Sequence, residues 1–168
     1  MRIPLTKYGL PQVVVFPVVT AVLMAALFLL LRRSSFLVPA EVLLALVMLW
    51  MLSFFRDPER AVPKDESVLL SPADGTVTDI EYVDDDPAYG GSAVRIGIFL
   101  SVFNVHINRA PCTVRVEKVT YKKGEFRNAM APDSGRVNES NDVLMTRLYA
   151  PEAKLLVRQV SGAIARHI

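Results

Sequence analysis

The chain has 168 residues, of which 52% are hydrophobic, and its 19 basic residues nearly balance 17 acidic ones. A net charge of +2 does not fit a nucleic-acid-binding protein. The single cysteine, Cys112, excludes an intrachain disulfide framework. No metal site is predicted either, because Cys112, His106 and His167 have no familiar ligand spacing.

Two long apolar runs occupy the first third of the chain. They cover residues 11–31, which carry no charge, and residues 36–55, in which Glu41 is the one charged residue. Each run has the length of about 20 residues that a helix needs to cross a bilayer. Because only residues 32–35 separate them, we expect a transmembrane helical hairpin within residues 1–56. A cleaved signal peptide fits less well, since a second run follows at once, whereas a hairpin that only dips into one leaflet stays open.

Basic residues indicate how this hairpin is oriented. They lie on both outer flanks and in the connecting loop: Arg2, Lys7, Arg56, Arg60 and Lys64 on the flanks, and Arg32 and Arg33 in the loop. The larger number on the flanks favours both ends of the hairpin in the cytoplasm. Residues 57–168 would then form a domain at the cytoplasmic face of the cell (inner) membrane, where a lipid is an accessible substrate.

The second part of the chain has the pattern of a β-rich domain. Strands are predicted at 76–82, 93–100, 113–121, 143–149 and 154–168, separated by a turn at 71–75, an acidic loop at 84–91 and a long polar loop at 122–141. Within 113–121 the apolar residues change phase, which predicts a β-bulge near Glu117–Lys118. So many short strands favour a β-sandwich or a partly closed barrel. The last strand pattern runs to Ile168 without a turn, so we expect the natural product to continue or to be processed into two chains.

Two short stretches hold the candidate chemical groups. Asp74 lies in a Ser-Pro-Ala-Asp-Gly turn, and His106 follows a strand among apolar residues. Histidine is suited to acid–base work near neutral pH, and a carboxylate can orient it. The residues alone leave open that Asp74 is a turn former and His106 a structural histidine.

Four segments in order resemble motifs of the phosphatidylserine decarboxylase family, and most closely its short bacterial and archaeal branch. They are FFRDPER (54–60), SPADGTV (71–77), VFNVHINRAP (102–111) and YKKGEFRNA (121–129). The resemblance implies an α+β, β-rich domain like the barrel-sandwich hybrid of biotinyl and lipoyl carriers, over residues 57–168 and incomplete at its C-terminus. It also implies an N-terminal transmembrane hairpin.

The family resemblance further implies a pyruvoyl-dependent enzyme that makes its own cofactor. A precursor cleaves itself at a Gly-Ser bond, and the serine becomes a pyruvoyl group on a small α subunit. That serine would lie beyond Ile168, so this chain would correspond to the larger β subunit. Asp74 and His106 match the family's catalytic Asp and His. The reaction is the conversion of phosphatidylserine to phosphatidylethanolamine and CO2 through a Schiff base.

The polar loop supplies candidates for lipid binding, set against the simpler interpretation of a solvated charged loop. The candidates are Lys122, Lys123, Arg127 and Arg136 for a lipid phosphate, and Phe126, Asn138 and Asn141 for the head group. A homo-oligomer is also expected. The alternatives are a membrane-anchored biotinyl- or lipoyl-like module and a non-catalytic relative. The first would need a lysine in a tight hairpin flanked by Met, and the sequence offers none. Archaetidylserine or a similar aminophospholipid is the alternative substrate.

Overall fold

The structure is a computed structural model that describes residues 5–131, 133–149, 151 and 153–166. Contacts between Cα atoms divide the chain into two compact units, Met1–Ala61 and Val62–Ile168. The sequence prediction placed this boundary at residues 56 and 57. Each unit has its own architecture: the first is helical, and the second contains all five strands.

The first unit is a hairpin of two apolar helices. Helix α1 spans Leu10–Leu31 and helix α2 spans Leu37–Phe54, so each helix end lies within one residue of the corresponding end of a predicted apolar run. The backbone N–H of Thr6 donates to the Phe55 carbonyl at 2.9 Å, which brings the start and the end of the hairpin side by side. Both helices are long and apolar enough to cross a membrane.

The second unit contains two antiparallel sheets. Strands β1 (Thr76–Asp86) and β2 (Gly91–Phe99) form one pair, and strands β3 (Val114–Lys122), β4 (Ser140–Arg147) and β5 (Lys154–Val160) form the other sheet in the order β3-β4-β5. A short helix, α3 (Ser134–Val137), precedes β4. The chain is therefore α+β with two antiparallel sheets, as the coarser prediction stated.

Local details of the strands both agree with the sequence prediction and correct it. The register of β3 against β4 shifts between Val116 and Lys118, which confirms the predicted bulge. The prediction of a strand over 154–168 is wrong beyond Val160, because residues 161–166 are not in a strand. Ser161 is nearly fully buried, and its N–H still bonds the Glu139 carbonyl at 2.9 Å. The Glu139 N–H, however, donates to the Glu125 carbonyl at 2.9 Å and not to Ser161, so the ladder ends there. The last two residues, 167 and 168, lie outside the described part.

Alternation along the second sheet places polar side chains at one end of an apolar face. Residues directly opposite in antiparallel strands share a face, as do residues two apart within a strand. One face therefore carries Val119 and Tyr121 of β3, Asn141, Val143 and Met145 of β4, and Leu155, Val157 and Gln159 of β5. The amides of Asn141 and Gln159 lie opposite each other at the edge of this face, where the strands approach the loops.

Candidate active site

Asp74 ends a compact turn that leads into β1. Within this turn the Ser71 hydroxyl donates to the Ala73 carbonyl at 2.7 Å. A methyl group on Gly75 would come within 2.5 Å of the Phe99 carbonyl oxygen in β2. The carbonyl of a paired strand cannot move aside, so position 75 requires glycine. Asp74 is thereby held at the start of the β1–β2 pair.

His106 lies in a turn that fixes one of its ring nitrogens. Ser101 donates from both its backbone N–H and its hydroxyl to Oδ1 of Asn104, each at 2.8 Å, and Val105 is only 2% exposed. The Nδ1 atom of His106 lies 3.1 Å from the Asn104 carbonyl oxygen. Because a carbonyl only accepts, Nδ1 carries the proton, and in the neutral ring the lone pair is on Nε2. The contact with the Asn104 carbonyl thus fixes the tautomer of the neutral ring.

Three contacts join the Asp74 turn to the His106 turn. The Arg109 N–H donates to the Pro72 carbonyl at 2.9 Å, and the Leu70 N–H donates to the Pro111 carbonyl at 2.8 Å. The Arg109 Nη1 atom lies 3.8 Å from Oδ2 of Asp74. Both side chains of this ion pair are about a third exposed, so its energetic weight is small. The two sequence stretches that were singled out therefore lie side by side.

A row of side-chain amides extends this junction to the second sheet. Asn141 Nδ2 donates to Gln159 Oε1 at 3.2 Å, and Gln159 Nε2 donates to Asn108 Oδ1 at 3.0 Å. Asn108 Nδ2 in turn makes a long 3.5 Å contact with the Pro72 carbonyl. The structure therefore places Asn141, a predicted head-group residue, in the same network as the two turns.

Asn138 has a different environment from Asn141. Its side chain is fully buried. Its Oδ1 accepts the Arg127 N–H at 2.9 Å, and its Nδ2 donates to the carbonyls of Arg127 at 2.9 Å and of Ser161 at 2.8 Å. All three bonds go to backbone groups. Asn138 thus holds the segment after β3 against the segment after β5.

The remaining loop candidates lie on a well-bonded segment. The Phe126 ring lies 5.4 Å from the Arg166 guanidinium carbon. The Lys122 ammonium donates to the Arg136 carbonyl at 2.9 Å. Arg127 forms ion pairs with Glu125 and Asp133, and the hydrogen bond and charge of Glu125 raise the pKa of Arg127. Arg127 is thus already paired with two carboxylates.

Sequence reasoning did not find Asn108, Gln159 and Arg109. Gln159 does leave a signal, because it is a polar residue at the position where the Leu155, Val157 alternation calls for an apolar one. Asn108 lies within the motif that contains His106, but nothing in the motif marks it out beside the histidine. Across the described part of the chain, no three His, Cys, Asp or Glu side chains gather as metal ligands would.

Most of the chain matches one known protein family. The model of the family described as phosphatidylserine decarboxylase matches residues 47–168. The chain belongs to this family. The resemblance that four motifs predicted is therefore confirmed, and the match includes both turns, the amide row and the loop at 122–141.

Members of the phosphatidylserine decarboxylase family from several bacteria are similar over most of the chain. Proteins named phosphatidylserine decarboxylase proenzyme from Carboxydothermus hydrogenoformans and Rhodopirellula baltica are 42% identical over 126 residues and 39% identical over 169 residues. These alignments cover 75% and 99% of this chain, and 58% and 66% of the relatives. The chain thus spans between half and two thirds of the length of these relatives.

Proposed function

We propose that the chain is the larger part of a phosphatidylserine decarboxylase precursor, whose mature form converts phosphatidylserine to phosphatidylethanolamine and CO2. The observation that carries the proposal is the state of His106. Its Nδ1 is fixed by the Asn104 carbonyl, and its turn is bonded to the turn that bears Asp74. Family membership supplies the reaction class. The biotinyl- or lipoyl-like alternative is not favoured, because the relatives are named as decarboxylase proenzymes.

His106 acts as the base in self-cleavage of the precursor. Its Nε2 takes the proton from the hydroxyl of a serine that follows residue 168 in the precursor, as that oxygen attacks the preceding carbonyl. A positioned base of this kind contributes about 10²–10⁴-fold in rate. Asp74 lies beside the same junction and stabilises the positive charge that the imidazole gains. Arg109, 3.8 Å from Asp74, favours the charged form of that carboxylate but adds little to its positioning.

A pyruvoyl group at this site would supply a ketone able to condense with the lipid amine and to accept the electron pair released with CO2. The residues of this chain suit such a group, because they offer a neutral base and uncharged amide donors. In this proposal Asn141 and Phe126 contact the serine head group, and Asn138 keeps their loop in position from its buried site. The lipid phosphate is bound by the basic side chains of Lys122, Lys123 and Arg136.

The exposure of apolar side chains on the sheets is the evidence for a second subunit and a larger fold. Large apolar side chains are exposed on both sheets: Val77, Ile80, Tyr82, Val94 and Ile96 on the β1–β2 pair, and Val116, Val119 and Tyr121 on β3. A two-stranded sheet with an uncovered apolar face is marginal in water. We propose that the small α subunit of the same precursor covers these faces and completes a barrel-sandwich hybrid, and that the mature enzyme is a homo-oligomer.

The membrane location follows from the hairpin in the same proposal. Helices α1 and α2 anchor the enzyme in the cell membrane, and the basic flanks hold both hairpin ends on the cytoplasmic side. The catalytic domain then works at the cytoplasmic face, where its lipid substrate is delivered within the bilayer.

Self-cleavage of the full-length precursor tests the proposal. The wild-type precursor should yield two chains, the smaller of which begins with a ketone that an amine and borohydride trap. His106→Ala and Asp74→Ala should leave the precursor uncut, whereas Asp84→Ala, on an exposed position of β1, should process normally. Intact mass spectrometry measures all four. Normal processing in both site variants would refute the assigned roles, and an uncut wild-type chain without a carbonyl would identify a non-catalytic relative.

A further inference from the structure

We infer that Gln159 is a positioning residue that couples the head-group side of the site to the catalytic turns. The inference rests on the proposed function and goes beyond it by assigning roles to Gln159 and Asn108. Gln159 lies at the centre of the amide row, with Asn141 on one side at 3.2 Å and Asn108 on the other at 3.0 Å. It is the link between the second sheet and the turn that contains His106.

The hydrogen bonds of the row all run in one direction. The Pro72 carbonyl at one end only accepts, so Asn108 turns its NH2 group toward Pro72 and its Oδ1 toward Gln159. Gln159 must then donate to Asn108 and accept from Asn141. This order leaves Asn141 with its Oδ1 and a second N–H for a ligand. The row therefore requires an amide at position 159, because this side chain must accept from Asn141 and donate to Asn108.

The end of the row formed by Asn108 and Pro72 is tied to both catalytic groups through the backbone. Asn108 is two residues after His106, and the next residue, Arg109, donates its N–H to the Pro72 carbonyl at 2.9 Å. Pro72 in turn is two residues before Asp74. Movement of Asn108 thus displaces both turns together. The tautomer of His106 is not affected, because its Nδ1 bond is made to Asn104 within its own turn.

The position of Gln159 in the sheet also points to a role other than solubility. Its side chain lies on the face that carries Leu155 and Val157 of the same strand, and it is only partly exposed. A polar side chain at such a position costs free energy unless it is hydrogen-bonded. Here both of its polar atoms are bonded to other amides.

Two substitutions separate the two functions of this amide. Gln159→Glu keeps an acceptor for Asn141 but removes the donor to Asn108. In the full-length precursor we expect self-cleavage and kcat to fall roughly tenfold, with KM for phosphatidylserine within about twofold of wild type. Gln159→Leu removes both bonds, so KM should also rise, by about threefold to tenfold. The pH midpoint of kcat should stay unchanged in Gln159→Leu, because His106 keeps its Nδ1 partner and no charge is added near it.

A double mutant tests whether the effect passes through Asn108. Asn108→Ala combined with Gln159→Glu should lower kcat no further than Asn108→Ala alone, since coupled residues are not additive. Thr120→Leu, a polar-to-apolar change on the opposite face of the same sheet, is the control and should behave as wild type. Thermal midpoints check folding. If Gln159→Leu does not fold, Gln159→Glu, which keeps the size of the side chain and its acceptor oxygen, decides.

The outcomes separate this inference from the proposed function. Suppose that the wild-type precursor processes normally. An unchanged kcat in Gln159→Glu, an equal KM in the two Gln159 variants, or additive losses in the double mutant would then overturn the positioning role alone. A wild-type precursor that neither cleaves itself nor decarboxylates the lipid would overturn the proposed function and this inference with it.

Discussion

Replacing Asn138 by alanine should release the segment that follows β3. The buried amide makes three hydrogen bonds of 2.8–2.9 Å, to the N–H and carbonyl of Arg127 and to the carbonyl of Ser161. A typical bond contributes about 1 kcal/mol net, and a carbonyl left exposed by opening regains water. The free energy of local opening should therefore fall by about 2–3 kcal/mol. The equilibrium constant for opening would then be roughly 30 to 140 times larger.

Hydrogen exchange followed by mass spectrometry measures this change in peptides that cover residues 125–139. Asn138→Ala should accelerate exchange of the Arg127 amide by that factor relative to wild type. The matched control is Asn128→Ala, the same change on the same segment, where the exposed amide accepts one bond, from the Met130 N–H at 3.0 Å. It should accelerate exchange less than tenfold. An Asn138→Ala effect below threefold would refute the idea that this amide holds the segment.

Asn138→Asp adds a pH signature to the same experiment. A carboxylate at this buried position would face the carbonyl oxygens of Arg127 and Ser161, so its pKa in the folded state should rise above the unfolded value of about 3.9. A folded state that binds the proton more tightly gains stability as the pH falls toward the unfolded pKa. Exchange relative to wild type should therefore slow on acidification for Asn138→Asp but not for Asn138→Ala. Parallel pH curves would contradict this account.

Two further predictions concern packing and titration. Gly75→Ala places a methyl group 2.5 Å from the Phe99 carbonyl oxygen and 2.7 Å from Ile98 Cγ2. It should lower the unfolding free energy by about 1–3 kcal/mol in thermal melts and slow self-cleavage of the precursor in gel assays. Unchanged values would show that the turn can move away from β2. The hydrogen bond from Tyr121 to Glu139 and the negative charge of that carboxylate raise the pKa of Tyr121. This interaction stabilises the fold below the unfolded pKa of about 10 and is lost as the pH rises through the folded value. Glu139→Gln should lower the Tyr121 pKa in an ultraviolet titration, and an unchanged midpoint would exclude the bond.

The features that could be predicted from the sequence depend on neighbouring residues. The two apolar helices were located within one residue at each end, because hydropathy over a run of about 20 residues is a local property. The bulge in β3 was visible for the same reason: Val116 and Val119 are out of phase, and Glu117 is the extra residue that restores the alternation.

The features that were missed depend on residues far apart in the chain. The amide row joins positions separated by 36, 51 and 18 residues, and no local pattern reports such contacts. The end of β5 was placed too late because Ser161 continues an acceptable strand pattern. The strand actually ends where the Glu139 N–H donates to the Glu125 carbonyl and the Ser161 carbonyl accepts from the Asn138 side chain, 23 residues away in sequence. Tertiary hydrogen bonds override strand propensity at both places.

The distribution of buried side chains explains why the histidine turn is rigid while the sheets are largely uncovered. Among the described hydrophobic residues only Val105 and Met145 are buried, and Val105 directly precedes His106. Burial of a valine side chain stabilises by about 1.5–3 kcal/mol, and here it anchors the peptide whose neighbour, the Asn104 carbonyl, orients the imidazole. The bonds from Ser101 to Asn104 close the same turn over three residues. The base is therefore oriented by contacts within residues 101–106, which do not require the apolar faces of the sheets to be covered first.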